Sequence, residues 1–345
     1  MSIKYNLVFV APPATGKSTI AKVLEQVVPD SKRFNQDEFG GKSKQYHDAI
    51  EWELDNESLQ LMILDKCNHT IKIRDDLYKA LGDTSKIIYV VFYHPDDGID
   101  NKWDKIFEVC KDRVYKRGTG HENLYPSGKM NFILNTFKSN YEPLTETEKD
   151  DAYKVINVDI NLNPFEAIDA ILEELKDTTI DYNKDKIIEV YNDVLAEEKE
   201  KAKQVSPTKR TLYWSAVFPY DEREKILNHE NVKKILEDNS EWKVICDHLT
   251  LLFLKGETRL EETDFHEYEG KLIELEFTSL AWDDKITAIK VKLDTPCENT
   301  NPHVTLALSK GTSPVYSNTM LENPNDEIFF DEPLIVKARV ARILK

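Results

Sequence analysis

The apolar positions of this chain change rhythm along its length. In the first half, short apolar runs rich in β-branched and aromatic residues recur at Tyr5–Ala11, Leu59–Leu64, Ile87–Tyr93 and Tyr153–Val158. Segments with helical spacing lie between them, the clearest being Lys17–Val28, and Pro164–Lys176 closes the series as a helix. Continuous apolar runs are what strands covered on both faces look like. Strands alternating with helices predict an α/β unit, a mostly parallel sheet with helices on both faces. Between Lys184 and Gln204 the pattern becomes long, charged and helix-prone, ending at Ser206-Pro207, and it reads as a solvated linking helix. Beyond Lys209 strand-like runs dominate: Thr211–Phe218, Leu249–Leu254, Leu272–Leu280, Ile286–Leu293, His303–Leu308 and Leu334–Leu344, with one helix over Asp221–Glu237. That predicts an α+β unit of two-lobed antiparallel sheets. The expected organisation is therefore residues 1–176, a helical linker over 177–207, and residues 208–345.

Charge and cysteines narrow the classes. The chain has 63 acidic against 46 basic residues in 345, a net charge of -17. That argues against non-specific nucleic-acid binding over the whole surface and leaves room for a local basic groove. Cys67, Cys110, Cys246 and Cys297 are far apart, and no Cys-x-x-Cys pair suggests a zinc site or a disulfide framework. The first apolar run is too short for a signal peptide or a membrane helix. An intracellular protein, nuclear or cytoplasmic, with no membrane partner is the expectation.

Ala11-Pro-Pro-Ala-Thr15-Gly16-Lys17-Ser18-Thr19 follows a predicted strand and opens a predicted helix. It matches a phosphate-binding loop except at its first position, where Ala11 stands for Gly. In such a loop the backbone N–H groups of Thr15 to Thr19 cradle phosphates, Lys17 reaches the β and γ oxygens, and Ser18 ligates Mg²⁺. Asp37 falls just past the expected second strand, where a carboxylate could accept the proton of an attacking hydroxyl. Asp65-Lys-Cys-Asn68-His69, followed by Arg74, ends another apolar run, and strand ends of this kind line ligand crevices. Arg113 and Arg117 lie on a basic helix running into a glycine-containing loop, as lid arginines do.

Two His-x-Thr tripeptides, His248-Leu249-Thr250 and His303-Val304-Thr305, each lead into an apolar stretch. Side chains alternate along a strand, so each His shares a face with its Thr. Two imidazoles and two hydroxyls suit a phosphodiester: one His takes a proton from water, the other gives one to the leaving oxygen, and the hydroxyls hold the phosphoryl oxygens. Sequence leaves open which His does which. Trp214, Trp242, Trp282 and Tyr316 are candidates to stack on a base.

On these motifs the first half resembles the polynucleotide 5′-hydroxyl kinase domain of fungal tRNA ligases. The residues that carry the likeness are Gly16-Lys17-Ser18, Gln36-Asp37, Asp65 to His69, and Arg117-Gly-Thr-Gly-His121. The second half resembles the 2H phosphoesterase superfamily, and within it the cyclic phosphodiesterase domain of the same ligases, on the two His-x-Thr pairs and Ser313-Pro-Val-Tyr316-Ser-Asn318. The resemblance implies a bifunctional enzyme of RNA end healing, acting on RNA ends such as cleaved tRNA halves. A kinase would phosphorylate 5′-hydroxyl ends with Mg²⁺ and GTP or ATP. A phosphodiesterase needing no metal would open 2′,3′-cyclic phosphates to 3′-hydroxyl, 2′-phosphate ends. It implies catalytic roles for Lys17, Asp37, Arg113, Arg117, His248, Thr250, His303 and Thr305, and substrate contacts for Asp65, Asn68, His69, Arg74 and Tyr316. By analogy His303 activates water and His248 protonates the leaving oxygen. The family's adenylyltransferase domain has no room here, so sealing would fall to a separate or excised ligase domain. A different class stays open on the residues alone: a small-metabolite kinase or regulatory nucleotide-binding module joined to a phosphodiesterase for small cyclic phosphates. A scaffold without catalysis fits poorly with two complete constellations.

Overall fold

A computed structural model describes residues 4–82, 86–98, 103–121, 123–205, 210–254 and 258–345. Its backbone contacts divide the chain into two units: Met1–Lys111 with Asn131–Lys203, and Asp112–Met130 with Gln204–Lys345.

The first unit is built on five parallel strands, β1 (Tyr5–Val10), β2 (Ser31–Asn35), β3 (Leu61–Asp65), β4 (Lys86–Tyr93) and β5 (Lys154–Asp159). Their order across the sheet is β2-β3-β1-β4-β5. Every residue of β1 and β3 is buried, as the uninterrupted apolar runs require. The connecting helices are α1 (Lys17–Val27), α2 (Ser43–Leu54), α3 (Ile71–Leu81), α4 (Asp104–Arg117), α5 (Met130–Ser139), α6 (Glu146–Asp151) and α7 (Pro164–Glu174). Helix α7 starts where its sequence says it should. Asn163 and Glu166 form a reciprocal capping box, and Pro164 occupies the first turn, where a missing N–H costs nothing.

The long charged helix, α8 (Ile187–Val205), differs from the solvated linker expected of it. Ile187 and Val194 are buried, and Tyr191 packs on Phe165 with ring centroids 5.6 Å apart. Glu198 accepts from Lys22 Nζ at 2.7 Å and Thr19 Oγ1 at 3.0 Å. Sparse apolar positions among many charges make a narrow stripe that suffices to dock a helix. Ser206 and Pro207, read as its end, lie outside the described residues.

In the second unit the strands are β6 (Thr211–Val217), β7 (Lys243–Val244), β8 (His248–Phe253), β9 (Leu272–Trp282), β10 (Ile286–Lys292), β11 (His303–Leu308) and β12 (Asp326–Leu344). All their pairings are antiparallel. The order is β10-β9-β12-β6-β8-β11-β7, and β10 also pairs with β11. The antiparallel strands expected of this unit are thus hydrogen-bonded into one ring of six, with β7 outside it. Trp214, Leu249, Leu251, Phe277, Val304, Leu306 and Val340 belong to one buried cluster. The expected single helix over Asp221–Glu237 is two, α9 (Tyr220–Leu227) and α10 (Glu230–Asp238), parted at Asn228 and His229. A last helix, α11 (Tyr316–Glu322), lays Met320 and Leu321 against β9 and β10. Strand β12 runs farther than its apolar pattern suggests, with a register break between Phe329 and Leu334. Pro333 sits inside that break, and a proline cannot donate to a ladder.

The segment Asp112–Met130 is anchored within this second unit. Arg339 on β12 makes a bidentate pair with Asp112, at 3.1 and 3.4 Å, and donates to Gly270 O. Tyr115 packs on Val217, Ala341 and Ile343. Leu344 N–H donates to Pro126 O at 3.0 Å. Gly118 has φ +69, and a Cβ there would stand 2.9 Å from Glu269 Oε1.

Candidate active sites

In the first unit, β1 delivers the chain into the loop that ends at α1. Gly16 caps the helix in the left-handed region at φ 94, and Ala14 has φ 67. Left-handed residues alternating with ordinary ones turn successive N–H groups towards a common centre, and the helix start adds its own free donors. The hydroxyl of Thr15 donates to Pro12 O at 3.3 Å and that of Thr19 to Glu198, so both side chains serve the fold.

Ser18 Oγ donates to Asp65 Oδ1 at 3.0 Å. Asp65 ends β3, beside β1, and is buried. Its other oxygen accepts from Arg33 Nε at 3.0 Å and Asn35 Nδ2 at 2.7 Å. Burial opposes the charge on Lys17, yet Cys67 and Asp65 beside it hold its pKa above the ordinary lysine value. Burial also pushes the Cys67 thiol up, which leaves it neutral near pH 7, so the Asp65 carboxylate is the partner that counts. Asn35 ties in Asp37 too: its Oδ1 accepts the Asp37 N–H at 2.8 Å and starts a short 3-10 turn. The Asp37 side chain is exposed, and its charge is felt at Cys67, next to Lys17. Loop, Lys17, Ser18, Asp65 and Asp37 thus form one neighbourhood.

Asn68, His69 and Arg74 are engaged within the fold of the first unit. Asn68 is fully buried at φ 41, and its amide donates to Phe9 O at 2.9 Å, pinning β1 to the end of β3. His69 lies against Phe137 at 4.6 Å with Nδ1 buried and unpartnered, and burial brings its pKa down to about 4. Arg74 is 1% exposed. Its donors go to Glu148, Asn68 O, Glu142 O and Pro143 O, which accounts for all five N–H groups. Arg113 and Arg117 end α4 in the part of the chain that belongs to the second unit. Arg117 Nη2 donates to Leu124 O at 2.7 Å.

In the second unit β8 and β11 are antiparallel neighbours with Leu249 opposite Val304. One step to either side, that register sets His248 opposite Thr305 and Thr250 opposite His303. All four are half-exposed while Leu249 and Val304 are buried, so the four functional side chains share one face. Directly opposed side chains in an antiparallel pair start about 5 Å apart.

Each imidazole is held by Nδ1. His248 Nδ1 is 2.7 Å from Asp247 Oδ1, and His303 Nδ1 is 2.8 Å from Asn301 O. Both partners are acceptors, which assigns the Nδ1 protons and leaves Nε2 for chemistry. Burial lowers the His303 pKa, and the nearby His248 lowers it further, against the Asn301 carbonyl. Helix α11 completes the face: Ser317 Oγ lies 2.8 Å from Thr305 Oγ1, and Asn318 Oδ1 accepts from Asn299 Nδ2, itself 3.4 Å from His303 Nδ1.

The aromatic candidates are placed differently from one another. Trp214 is wholly buried, and Tyr316 is committed to Asp283 through its hydroxyl at 2.8 Å. A bulge in the β6–β8 pairing adds Leu251 to β8, so Leu251 and Leu252 are both buried. The re-phased strand sets Phe253, 46% exposed, opposite Tyr213. Tyr213 lies 6.1 Å from Phe253 and 5.9 Å from His248 by ring centroids.

These are a P-loop site and a two-histidine site on separate units. Residues 7–163 match the tRNA ligase kinase domain and residues 180–340 the fungal tRNA ligase phosphodiesterase domain. The chain therefore belongs to the fungal tRNA ligase family by both of its units, and it is a bifunctional RNA kinase and cyclic phosphodiesterase. Among solved structures it is similar to a fungal RNA kinase at 17% identity, over 99% of this chain and 100% of that one, with a TM-score of 0.46. A gluconokinase from Sinorhizobium meliloti 1021 aligns at 12% identity over 56% of this chain and 97% of its own, with a TM-score of 0.32. No curated protein sequence matches.

Sequence reasoning missed Asp247, Asn299, Asn301 and Phe253 around the histidines, and Arg33 and Asn35 around Asp65, and it carried Ser317 only within the Ser313–Asn318 motif. Only Asp247 gave a local signal, as an acid directly before the histidine.

Proposed function

We propose that the protein heals RNA ends: it phosphorylates 5′-hydroxyls with a nucleoside triphosphate and opens 2′,3′-cyclic phosphates to 2′-phosphates. The observation that carries the second activity is the Leu249–Val304 register, which puts both His-x-Thr pairs on one face.

In the kinase step the loop amides and Lys17 bind the β- and γ-phosphates. Asp37 accepts the proton of the 5′-hydroxyl as its oxygen bonds to the γ-phosphorus, and the bond from that phosphorus to the β–γ bridging oxygen breaks to release the nucleoside diphosphate. Ser18 and Asp65 are two oxygen donors 3.0 Å apart, a set that fits a hard cation shared with phosphate oxygens. They would hold Mg²⁺, which when bound neutralises charge on the transferring phosphoryl group. Arg113 and Arg117 are the lid arginines of this reading, and GTP is the donor that the family resemblance favours.

In the phosphodiesterase step His303, neutral because burial depresses its pKa, takes a proton from water at Nε2. The water oxygen bonds to phosphorus, the bond from phosphorus to the 3′-oxygen breaks, and His248 Nε2 gives its proton to that oxygen. A hydroxyl has one proton. Ser317 Oγ donates to Pro314 O, so Thr305 is the donor in its 2.8 Å contact with Ser317, and it must give up that bond to donate to a phosphoryl oxygen. Thr250 holds another phosphoryl oxygen, and Phe253 offers a face for the base.

The test is a short RNA with a 5′-hydroxyl and a 2′,3′-cyclic phosphate, incubated with Mg²⁺ and either GTP or ATP and read by mass spectrometry. A new 5′-phosphate and an opened 2′-phosphate are expected, with GTP the better donor. Lys17→Ala should abolish the first product alone. His248→Ala or His303→Ala should abolish the second alone. Persistence of either product in its variant would refute the corresponding site.

A further inference from the structure

The two histidines are held differently, and the difference has a cause in the chain. Adjacent residues of a strand point to opposite faces, so an acid directly before a strand histidine should face away from it. Here it does not. Cys246 sits at φ 42, a left-handed conformation that a side chain seldom adopts, and the chain turns there before β8 begins. The turn brings Asp247 Oδ1 to 2.7 Å from His248 Nδ1.

That turn is clamped on all sides. Arg223 of α9 donates to Cys246 O at 2.9 Å and to Ile245 O at 3.3 Å. Ile245 and Cys246 donate their N–H groups to Leu306 O and Thr305 O of β11, at 2.8 and 3.0 Å. Phe218 N–H donates to Asp247 O at 3.1 Å. Such over-determination is what holds a strained residue in place. The titratable and charged groups around His248 are Asp247 on its own segment, Tyr213 on β6, His303 on β11, and Arg223 with Cys246 behind the turn.

We propose that Asp247 is a positioning residue that makes His248 the general acid, with the Cys246 turn as the device that aims it. The inference rests on the phosphodiesterase reading. A carboxylate on Nδ1 stabilises the imidazolium and fixes its ring, as a proton donor requires. The backbone carbonyl on His303 Nδ1 orients that ring without adding a charge, as a base requires. The pair is thereby polarised before any substrate binds.

The experiment uses the full chain and an RNA oligonucleotide ending in a 2′,3′-cyclic phosphate, with kcat and KM followed from about pH 5 to 9. Asp247→Asn should lower kcat at least about tenfold, with KM little changed, because a weakened general acid gives up part of its contribution. The alkaline limb of the kcat profile should move to lower pH, since the imidazolium has lost its counter-charge. Asp247→Glu should restore part of both, and thermal unfolding reports whether each variant folds. An unchanged kcat in Asp247→Asn, or a fall with the pH profile unmoved, overturns the proposal. Cyclic-phosphate opening that survives in both His248→Ala and His303→Ala overturns the phosphodiesterase reading itself.

Discussion

His303 sits deep enough in its sheet face for burial to depress its pKa, and a general base gains from that same displacement. The acid limb of kcat/KM for cyclic-phosphate opening should therefore lie below the ordinary histidine value of about 6.5. Activity should persist as pH falls from 7 and be lost only as His303 takes up a proton. An acid limb above that value would contradict the assignment. His69 has a related displacement with a different consequence. Its pKa of about 4 lies below the unfolded value, so its stabilising effect is complete above about pH 6.5 and is lost as pH falls through 4. The loss is roughly 3 kcal/mol at most, because the ring is partly exposed. Denaturant titrations should show His69→Phe less acid-sensitive than the parent, with 5′ phosphorylation intact. Loss of phosphorylation would restore His69 to the substrate. Arg74 separates the two readings more sharply. A buried, fully bonded guanidinium leaves Glu148 and three carbonyls stranded when removed, so Arg74→Ala should cost about 3–5 kcal/mol of stability. A stable variant with only a raised KM for RNA would show that it binds substrate after all. From sequence, Asp65, Asn68 and Arg74 look alike, polar residues past a strand end. All three are buried, and what separates them is the partner each meets: Ser18 of the loop for Asp65, Phe9 O for Asn68, and Glu148 of α6, far along the chain, for Arg74.

At the level of elements, strand and helix types were readable because their apolar spacing differs, and the parallel first sheet follows from that alternation. Departures occur where a single residue overrides the pattern. Pro333 breaks the ladder of β12, and Leu251 re-phases β8 so that Phe253 joins the functional face. No alternation of apolar residues announces such a bulge, which is why Phe253 was not among the stacking candidates Trp214, Trp242, Trp282 and Tyr316. The turn after α4 offers a test of backbone geometry within one element. Gly118 holds φ +69, so Gly118→Ala places a Cβ in the left-handed region, at a cost of about 1–2 kcal/mol. The Glu269 carboxylate in its way is the end of a flexible side chain and adds little. Thermal unfolding of the second unit should fall by a few degrees. An unchanged midpoint would mean that the turn can adopt another conformation without loss.

Over the whole molecule, the charge decides how RNA is engaged. With 63 acids against 46 bases, the surface repels a polyanion at long range, and binding must come from short-range contacts at the ends. On the proposed function, both sites take RNA ends. In one, a loop and lysine take the donor's phosphates while the acceptor offers a single hydroxyl. In the other, two histidines and two threonines close on one phosphodiester, with one aromatic pair beside them. Few phosphates of the RNA body are neutralised in either arrangement. Each one neutralised on a single strand adds about 0.7 to the slope of log affinity against log salt. Two or three contacts predict a slope of roughly -1.5 to -2. Fluorescence anisotropy of a labelled cyclic-phosphate RNA, measured at several salt concentrations, would give that slope. A value steeper than about -4 would require a continuous basic track along the RNA. The end-directed account of binding would then be wrong, even with both chemistries intact.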